Sequence, residues 1–241
     1  MIRAIVAAAL LAAAVPAAAQ LSPAIVTVGP SGRWGAVDVG MQRYRPNLDA
    51  EFTASPPADR PYQKYFGTSD GWMLHLGFSR ALFTKVGSLE IGVRSGWFQD
   101  SGTGFKEGTL EPSSETTRFR MIPTSLALSY RFDWATERYK IPFAPYARLA
   151  LERYNWWITD GSGSTSEKGA TNGWSWTAGV AFLLDFLDPT LAREFDRDSG
   201  VNHTYLTFDV SKSYVDDFGS STSWDLSNED LSFALGLLFV F

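Results

Sequence analysis

The chain has 241 residues, no cysteine and a formal net charge of −5. The acidic balance argues against nucleic-acid binding, which needs a basic stripe, and the lack of cysteine excludes a fold held by disulfides. Aromatic residues make up 15% of the chain and nine of them are Trp, which favours a protein at the membrane–water interface, where Trp and Tyr concentrate.

The amino-terminal residues have the pattern of an export signal. Arg3 gives a positive start, residues 4–15 are apolar, and Ala17 and Ala19 fit an A-x-A cleavage site. A transmembrane anchor is the alternative, but the apolar run is shorter than the ~20 residues that a spanning helix needs. We therefore predict a signal peptide over 1–19 and one exported domain over 20–241.

Eight later segments alternate large apolar residues with small or polar ones, which is the period of a β-strand. They are 35–42, 72–83, 89–98, 119–133, 143–156, 174–186, 203–212 and 231–241. An even number of strands is typical of single-chain outer-membrane barrels. The pattern predicts an all-β fold, an eight-stranded antiparallel up-and-down transmembrane β-barrel.

The connections between these segments alternate in length, as they do in membrane barrels. Short turns join strands 2–3 and 4–5, whereas 43–71, 99–118, 157–173 and 213–229 read as long outer loops. The connection between strands 6 and 7 is an exception. Asp188 and Pro189 fit a helix start and Gly200 a helix end, so we predict a short periplasmic helix over 190–196, acting as a lid or, alternatively, binding a partner.

Alternation alone does not decide which face of the barrel points outward, because a soluble lipocalin-like barrel has its apolar face inward. Small residues such as Gly92, Ala127 and Gly179 share one face, and an eight-stranded lumen has room only for side chains that fill it. The bulky face is almost free of charge, with Arg80 as an exception. Four tryptophans near strand ends would form an aromatic girdle: Trp72, Trp97, Trp134 and Trp174.

Two prolines within the predicted strands are not expected in a closed barrel. A closed barrel has no edge strand for proline to occupy, so Pro123 and Pro145 are expected near rims or bulges.

Seven charged residues fall on the inward face. They are Asp38, Glu90, Arg94, Arg131, Arg148, Glu152 and Asp209. Their near balance of charge predicts a salt-bridge network that plugs the lumen. A narrow pore for small solutes or ions is the alternative, although barrels with aqueous lumens have about sixteen strands or more.

The hypothesis that the protein is an enzyme is less favoured. The chain has two histidines, His75 and His203, and a lipid A-modifying enzyme would need one of them beside a nucleophile. His75 and Ser79 are four residues apart along one strand, about 13 Å, which is too far for a nucleophile–base contact. We therefore predict no catalytic, cofactor-binding or metal-binding residues.

The outer loops could bind partners, although packing within the loops and simple solubility are the favoured interpretations of their residues. The first loop is rich in aromatic residues and could be adhesive, with Tyr44, Phe52, Tyr62, Tyr65 and Phe66. Acidic residues of the last loop could attract a divalent cation, namely Asp216, Asp217 and Asp225. Arg118 and Arg120 could meet lipopolysaccharide phosphates or be ordinary rim charges.

Several segments together resemble small outer-membrane β-barrel proteins of Gram-negative bacteria, with the architecture of the OmpA membrane domain. They are 67–80, 87–102, 141–151, 201–210 and the terminal strand 231–241. The resemblance implies a transmembrane barrel, and we predict that it is a monomer in the cell outer membrane, in contact with outer-membrane lipid and lipopolysaccharide. The resemblance also implies that Phe239 and Phe241 form the signal read by the barrel-assembly machinery. It brings no catalytic residues, and no periplasmic domain that would bind peptidoglycan.

Overall fold

A computed structural model describes residues 32–50, 60–105 and 112–241; the predicted signal peptide lies outside these ranges. The strands are β1 (Gly35–Tyr44), β2 (Gly71–Phe83), β3 (Ser88–Phe105), β4 (Pro112–Arg131), β5 (Phe143–Thr159), β6 (Thr165–Leu183), β7 (His203–Tyr214) and β8 (Ser232–Val240). The helices are α1 (Pro61–Phe66), α2 (Trp134–Tyr139) and α3 (Pro189–Ser199). In the described ranges no helix is long and apolar enough to cross a membrane.

The strands pair antiparallel in chain order, and β8 closes the barrel on β1. The predicted eight-stranded up-and-down barrel, with a short helix between β6 and β7, is confirmed. If the paired residues are followed from Val39 across β2, β3, β4 and β5, the residue reached on β6 is Asn172. If they are followed the other way round the barrel, across β8 and β7, the residue reached on β6 is Phe182. The offset of 182 − 172 = 10 residues is the barrel shear, and it corresponds to a strand tilt of about 40°.

The four central strands are longer than the alternation predicts. β3, β4, β5 and β6 have 18, 20, 17 and 19 residues, so most of the predicted loops 99–118 and 157–173 is strand. The turn after β5 is tight, because the Asp160 carboxylate accepts the backbone N–H groups of Ser162 and Ser164. The sequence signal fades here because both faces of these outer extensions carry polar residues.

The two prolines occupy different settings. Pro145 is exposed near the periplasmic end of β5, where a rim residue was expected. Pro123 is buried in the middle of β4 rather than at a rim, and the β3–β4 ladder lacks two pairs there, between Ser95–Thr124 and Phe98–Met121. Proline has no N–H to donate, and the facing Gly96 makes room, since a Cβ there would lie 2.9 Å from the Pro123 ring.

Helix α3 begins as the sequence predicts. The Asp188 carboxylate accepts the N–H groups of Thr190 and Leu191, each at 3.0 Å, and Gly200 ends the helix at a φ of 74°. No residue of α3 is buried, and its apolar Leu191 is 59% exposed. The helix therefore does not pack into the barrel mouth as the lid that was predicted.

Candidate functional site

Apolar side chains cover the outer surface of the barrel in a continuous belt. Phe233 is 67% exposed and Leu149 is 60% exposed. Other exposed members are Val39, Leu76, Phe78, Val93, Leu126, Leu128, Leu151, Val180, Phe208, Leu235 and Leu237. Soluble proteins rarely expose apolar patches of more than a few hundred Å², so this surface is suited to acyl chains. The lipocalin-like alternative, with the apolar face inward, is wrong.

Aromatic residues border the belt at both ends. All four predicted girdle tryptophans are exposed. With the tilt taken into account, Trp72, Trp97 and Trp174 lie within about 3 Å of one level at the outer end, and Trp174 stacks on Tyr214 with ring centroids 4.7 Å apart. Trp134 lies at the periplasmic end.

Trp34 joins the periplasmic ring, with its ring centroid 5.8 Å from that of Phe241. Trp34 was not predicted as a girdle residue, because it precedes the first alternating segment. The belt is about 25 Å tall, as judged from the ten residues of β5 between Phe143 and Arg153. That height matches the apolar band of outer-membrane barrels.

Arg80 remains on the lipid-facing side, exposed and three residues from the periplasmic end of β2. A side chain at this depth can extend to the headgroups. No bulge turns it inward, since its pairing with Gly35 and Ile91 is regular.

The lumen contains two layers of ion pairs. In the middle layer, the Asp38 carboxylate forms an ion pair with Arg94, whose Nη2 lies 3.0 Å from Asp38 Oδ2. Arg148 Nη2 lies 3.7 Å from Asp38 Oδ1, and His75 Nε2 lies 3.7 Å from Oδ2. The remaining predicted acid of this layer, Asp209, accepts the Tyr146 hydroxyl.

The second layer lies towards the periplasmic end. Arg131 donates to Glu90 at 2.8 Å and to Asp133 at 3.2 Å. Asp133 also pairs with Arg33 at 3.1 Å and accepts the Ser88 hydroxyl at 2.6 Å. Arg33 and Asp133 were not among the residues predicted to line the lumen. The inward position of Arg131 could have pointed to Asp133, which is two residues further along.

Glu152 does not join an ion pair in the described part of the chain. Its Oε1 accepts the Ser175 hydroxyl at 2.6 Å. The structure therefore brings six of the seven predicted lumen residues into two layers, and it places Glu152 above them.

The outer mouth of the barrel is filled by a cluster of buried apolar and aromatic side chains, which we call the mouth cluster. Its members are Tyr44, Tyr62, Met73, Phe98, Phe119, Met121, Tyr154, Trp156, Val215 and Leu226. Trp156 stacks on Trp224 with ring centroids 4.0 Å apart. Tyr44 and Tyr62 are 1% and 2% exposed, so these two first-loop aromatics pack into the mouth instead of forming an adhesive surface. Phe52 lies outside the described residues.

Helix α1 is held in the mouth by two carboxylates. Asp49 accepts the N–H groups of Tyr62 and Gln63 at 2.8 and 3.0 Å. Asp100 accepts the Tyr62 hydroxyl at 2.6 Å. Burial and the Asp100 carboxylate raise the pKa of Tyr62 well above its usual range, so the phenol stays a hydrogen-bond donor at all ordinary pH values.

We expect Tyr62→Phe to weaken the docking of α1 by about 1.5–3 kcal/mol, because it leaves a carboxylate without its phenol donor. Hydrogen exchange of the α1 amides measures this effect directly. Tyr65→Phe, at an exposed position of the same helix, is the matched control. Equal protection of the α1 amides in the two variants would contradict the role assigned to the Asp100 contact.

The described part of the lumen contains small cavities, two of which lie along the axis. One has a volume of about 30 Å³ and is lined by residues of both layers, including Asp38 and Arg131. The other has a volume of about 50 Å³ and is lined by residues that include Glu152 and Tyr154. His75 and Arg94 line both cavities. Each cavity has room for only a few water molecules.

The candidate catalytic and cation-binding residues have separate partners. Ser79 donates to Glu90 at 2.6 Å, and His203 Nδ1 lies 2.8 Å from Asp185. The Asp217 carboxylate accepts hydrogen bonds from Asn172 and Ser223. The Asp225 carboxylate accepts hydrogen bonds from Asn47 and Ser227. Among the described residues, no group of three or more His, Asp or Glu side chains could hold a metal ion.

No protein-family model matches the chain, and no curated protein matches it. The fold is similar to solved structures. For Ail, the attachment invasion locus protein of Yersinia pestis, solved with the heparin analogue sucrose octasulfate, the identity is 13% over 88% of this chain and 100% of Ail, with a TM-score of 0.41.

Two structures from Pseudomonas aeruginosa are similar as well. The N-terminal β-barrel domain of OprF has 12% identity over 87% of this chain and 100% of the domain, with a TM-score of 0.40. The outer membrane protein OprG has 11% identity over 88% and 98%, with a TM-score of 0.47. These similarities concern architecture alone, and the membrane assignment depends on the belt, the girdles and the closed eight-stranded sheet. The chain is an integral outer-membrane β-barrel.

Proposed function

We propose that this protein has a structural or surface-interaction role in the outer membrane and that its lumen is plugged. The observation that carries the proposal is the succession of closures along the axis. The Arg131 layer, the Asp38 layer and the mouth cluster follow one another, and the cavities found between them have volumes of about 30 and 50 Å³.

The proposed partners follow from the surfaces of the barrel. The belt contacts outer-membrane lipid and lipopolysaccharide, and the barrel is a monomer. The terminal strand β8, with Phe239 and Phe241, is the segment that the barrel-assembly machinery reads. Residues 1–19 are removed on export, so protein purified from outer membranes should have the intact mass of residues 20–241.

A narrow pore is the second candidate, because polar cavities line the axis on both sides of His75 and Arg94. Planar-bilayer conductance separates the two. Barrels refolded in lipid, and shown to be folded by heat-modifiable migration on a denaturing gel, should give no steady openings at an applied potential where a sixteen-stranded porin conducts. Steady, uniform openings from the folded fraction would contradict the plugged lumen and favour the pore.

No catalytic step is part of the proposal. Lipid A extracted from cells that carry His75→Ala or His203→Ala should be unchanged from the lipid A of cells with the parent protein. A lipid A species that depends on either histidine would favour an enzyme.

A further inference from the structure

Four cationic side chains lie on the outward face of the extracellular extensions of β4, β5 and β6. Arg118 and Arg120 are on β4, Arg153 is on β5 and Lys168 is on β6. Each has the same parity along its strand as the lipid-facing residues below it, such as Leu126 on β4 and Leu151 on β5. We call this group the basic face.

Strand register joins these side chains into one surface. Arg120 is the direct partner of Trp157, and Trp157 is the direct partner of Lys168. Side chains of directly opposed residues on one face touch or nearly touch. Trp157 therefore has a cation as its partner on each neighbouring strand, and its ring contacts the girdle residue Trp97 with ring centroids 5.7 Å apart.

The basic face begins where the lipid belt ends. Allowing for the strand tilt, Arg153 is level with the outer tryptophan girdle, Arg120 is about 9 Å above Trp174, and Arg118 and Lys168 are about 14 Å above it. Lipid headgroups occupy the first several Å beyond the hydrocarbon. The four cations thus lie at and just above the level of the outer-leaflet headgroups.

Among the residues that the structure describes, the four side chains of the basic face have no carboxylate partner. In residues 32–50, 60–105 and 112–241, no carboxylate oxygen lies within 4.0 Å of any of the four. Arg120 donates to the Gln99 side chain and Arg153 to the Asn172 side chain, both at 3.0 Å. Arg153 and the carboxylate of Asp217 share Asn172 as a hydrogen-bond partner.

Arg43, which points outward on another side of the barrel, differs from the basic face because it has a carboxylate partner. The partner is Asp70, at 3.4 Å, and the Arg43 guanidinium lies over the Trp72 ring at 5.2 Å. An anion at the basic face would meet several cations that have no carboxylate partner among the described residues, whereas Arg43 already has one.

We infer that the basic face binds the phosphate groups of a phosphorylated glycolipid of the outer leaflet, that is, the lipid A part of lipopolysaccharide. Charge-assisted hydrogen bonds from Arg120 and Arg153 would hold phosphate oxygens, while the acyl chains lie along the belt directly below. Trp157 supplies the amphipathic surface between headgroup and acyl chain. The inference rests on the proposed outer-membrane function, and it adds the ligand class and the side of the barrel that receives it.

The test compares two triple variants of the full mature barrel in detergent. Arg120→Gln/Arg153→Gln/Lys168→Gln removes three charges from the basic face. Arg80→Gln/Arg193→Gln/Arg197→Gln removes three from the periplasmic half and serves as the matched control. The probes are bisphosphorylated lipid A, lipid A stripped of phosphate, and inorganic phosphate. Heat-modifiable migration establishes that both variants are folded.

We expect the first variant to bind bisphosphorylated lipid A at least about tenfold more weakly than the parent barrel, and the control to stay within about twofold. The parent should bind phosphate-free lipid A no better than the first variant binds the bisphosphorylated form. Unchanged affinity in the first variant, or equal binding of both lipid forms, would overturn the inference. Inorganic phosphate that binds as tightly as lipid A would overturn the assignment to a lipid.

Failure here is distinguishable from failure of the proposed function. The plugged lumen is tested by conductance, which neither triple variant alters, and the membrane barrel is tested by heat-modifiable folding.

Discussion

Asp38→Asn should lower the free energy of unfolding by about 3 kcal/mol, because it leaves two buried guanidinium groups without their shared carboxylate. Arg94 and Arg148 approach Asp38 at 3.0 and 3.7 Å from different strands. Without the negative charge, they face each other across a lumen too narrow for bulk water. The barrel shear fixes this width, so the strands cannot separate to relieve the repulsion.

Guanidinium-induced unfolding in lipid vesicles, followed by Trp fluorescence, measures this loss. Ser125→Ala, which removes a neutral polar group from the lining of the neighbouring cavity, is the control and should cost much less. The double variant Asp38→Asn/Arg94→Gln should be less destabilised than the sum of the single variants, because each removes the partner of the other. Additive losses would show that the Asp38–Arg94 contact is not a stabilising ion pair.

Leu128→Arg should destabilise the barrel by about 2–4 kcal/mol, which is the cost of an arginine near the bilayer midplane. Leu128 is exposed on β4, about halfway between the two aromatic girdles. A charge at that depth cannot reach either headgroup layer without thinning the membrane or drawing water into it.

The matched control for this prediction is Ile122→Arg. Ile122 has the same parity on the same strand, six residues nearer the outer end, which is about 15 Å along the membrane normal. Arginine there should cost about 0–1 kcal/mol, since the position is at the interface. Vesicle-based unfolding titrations of both variants give the comparison. Equal costs at the two positions would mean that β4 does not cross a hydrocarbon layer.

The barrel could be predicted from sequence because two independent signals agreed along the chain. The period of two located the strands, and the division into bulky and small residues oriented the faces. Both signals depend on lipid, so they end where the lipid ends. On β3 to β6 the outer extensions have polar residues on both faces, and for that reason they were predicted as loops.

The lumen was predictable by position but not by partnership. Parity placed Asp38, Arg94 and Arg131 inside, yet pairing depends on barrel shear and side-chain reach, which no local pattern encodes. Asp133 forms an ion pair with Arg33, which precedes β1. Glu152 accepts a hydrogen bond from Ser175 instead of pairing with an arginine. The mouth cluster was missed for the same reason, because it combines strand residues with the distant helix α1.

The orientation of the two faces is tested most directly by single-cysteine scanning of β4, since the chain has no native cysteine. Spin labels at positions 126, 128 and 130 in vesicles should be accessible to oxygen dissolved in the lipid, and labels at 125, 127 and 129 should be shielded from it. The reverse alternation, or uniform access for a water-soluble relaxant along the whole segment, would contradict a lipid-facing belt around a filled lumen.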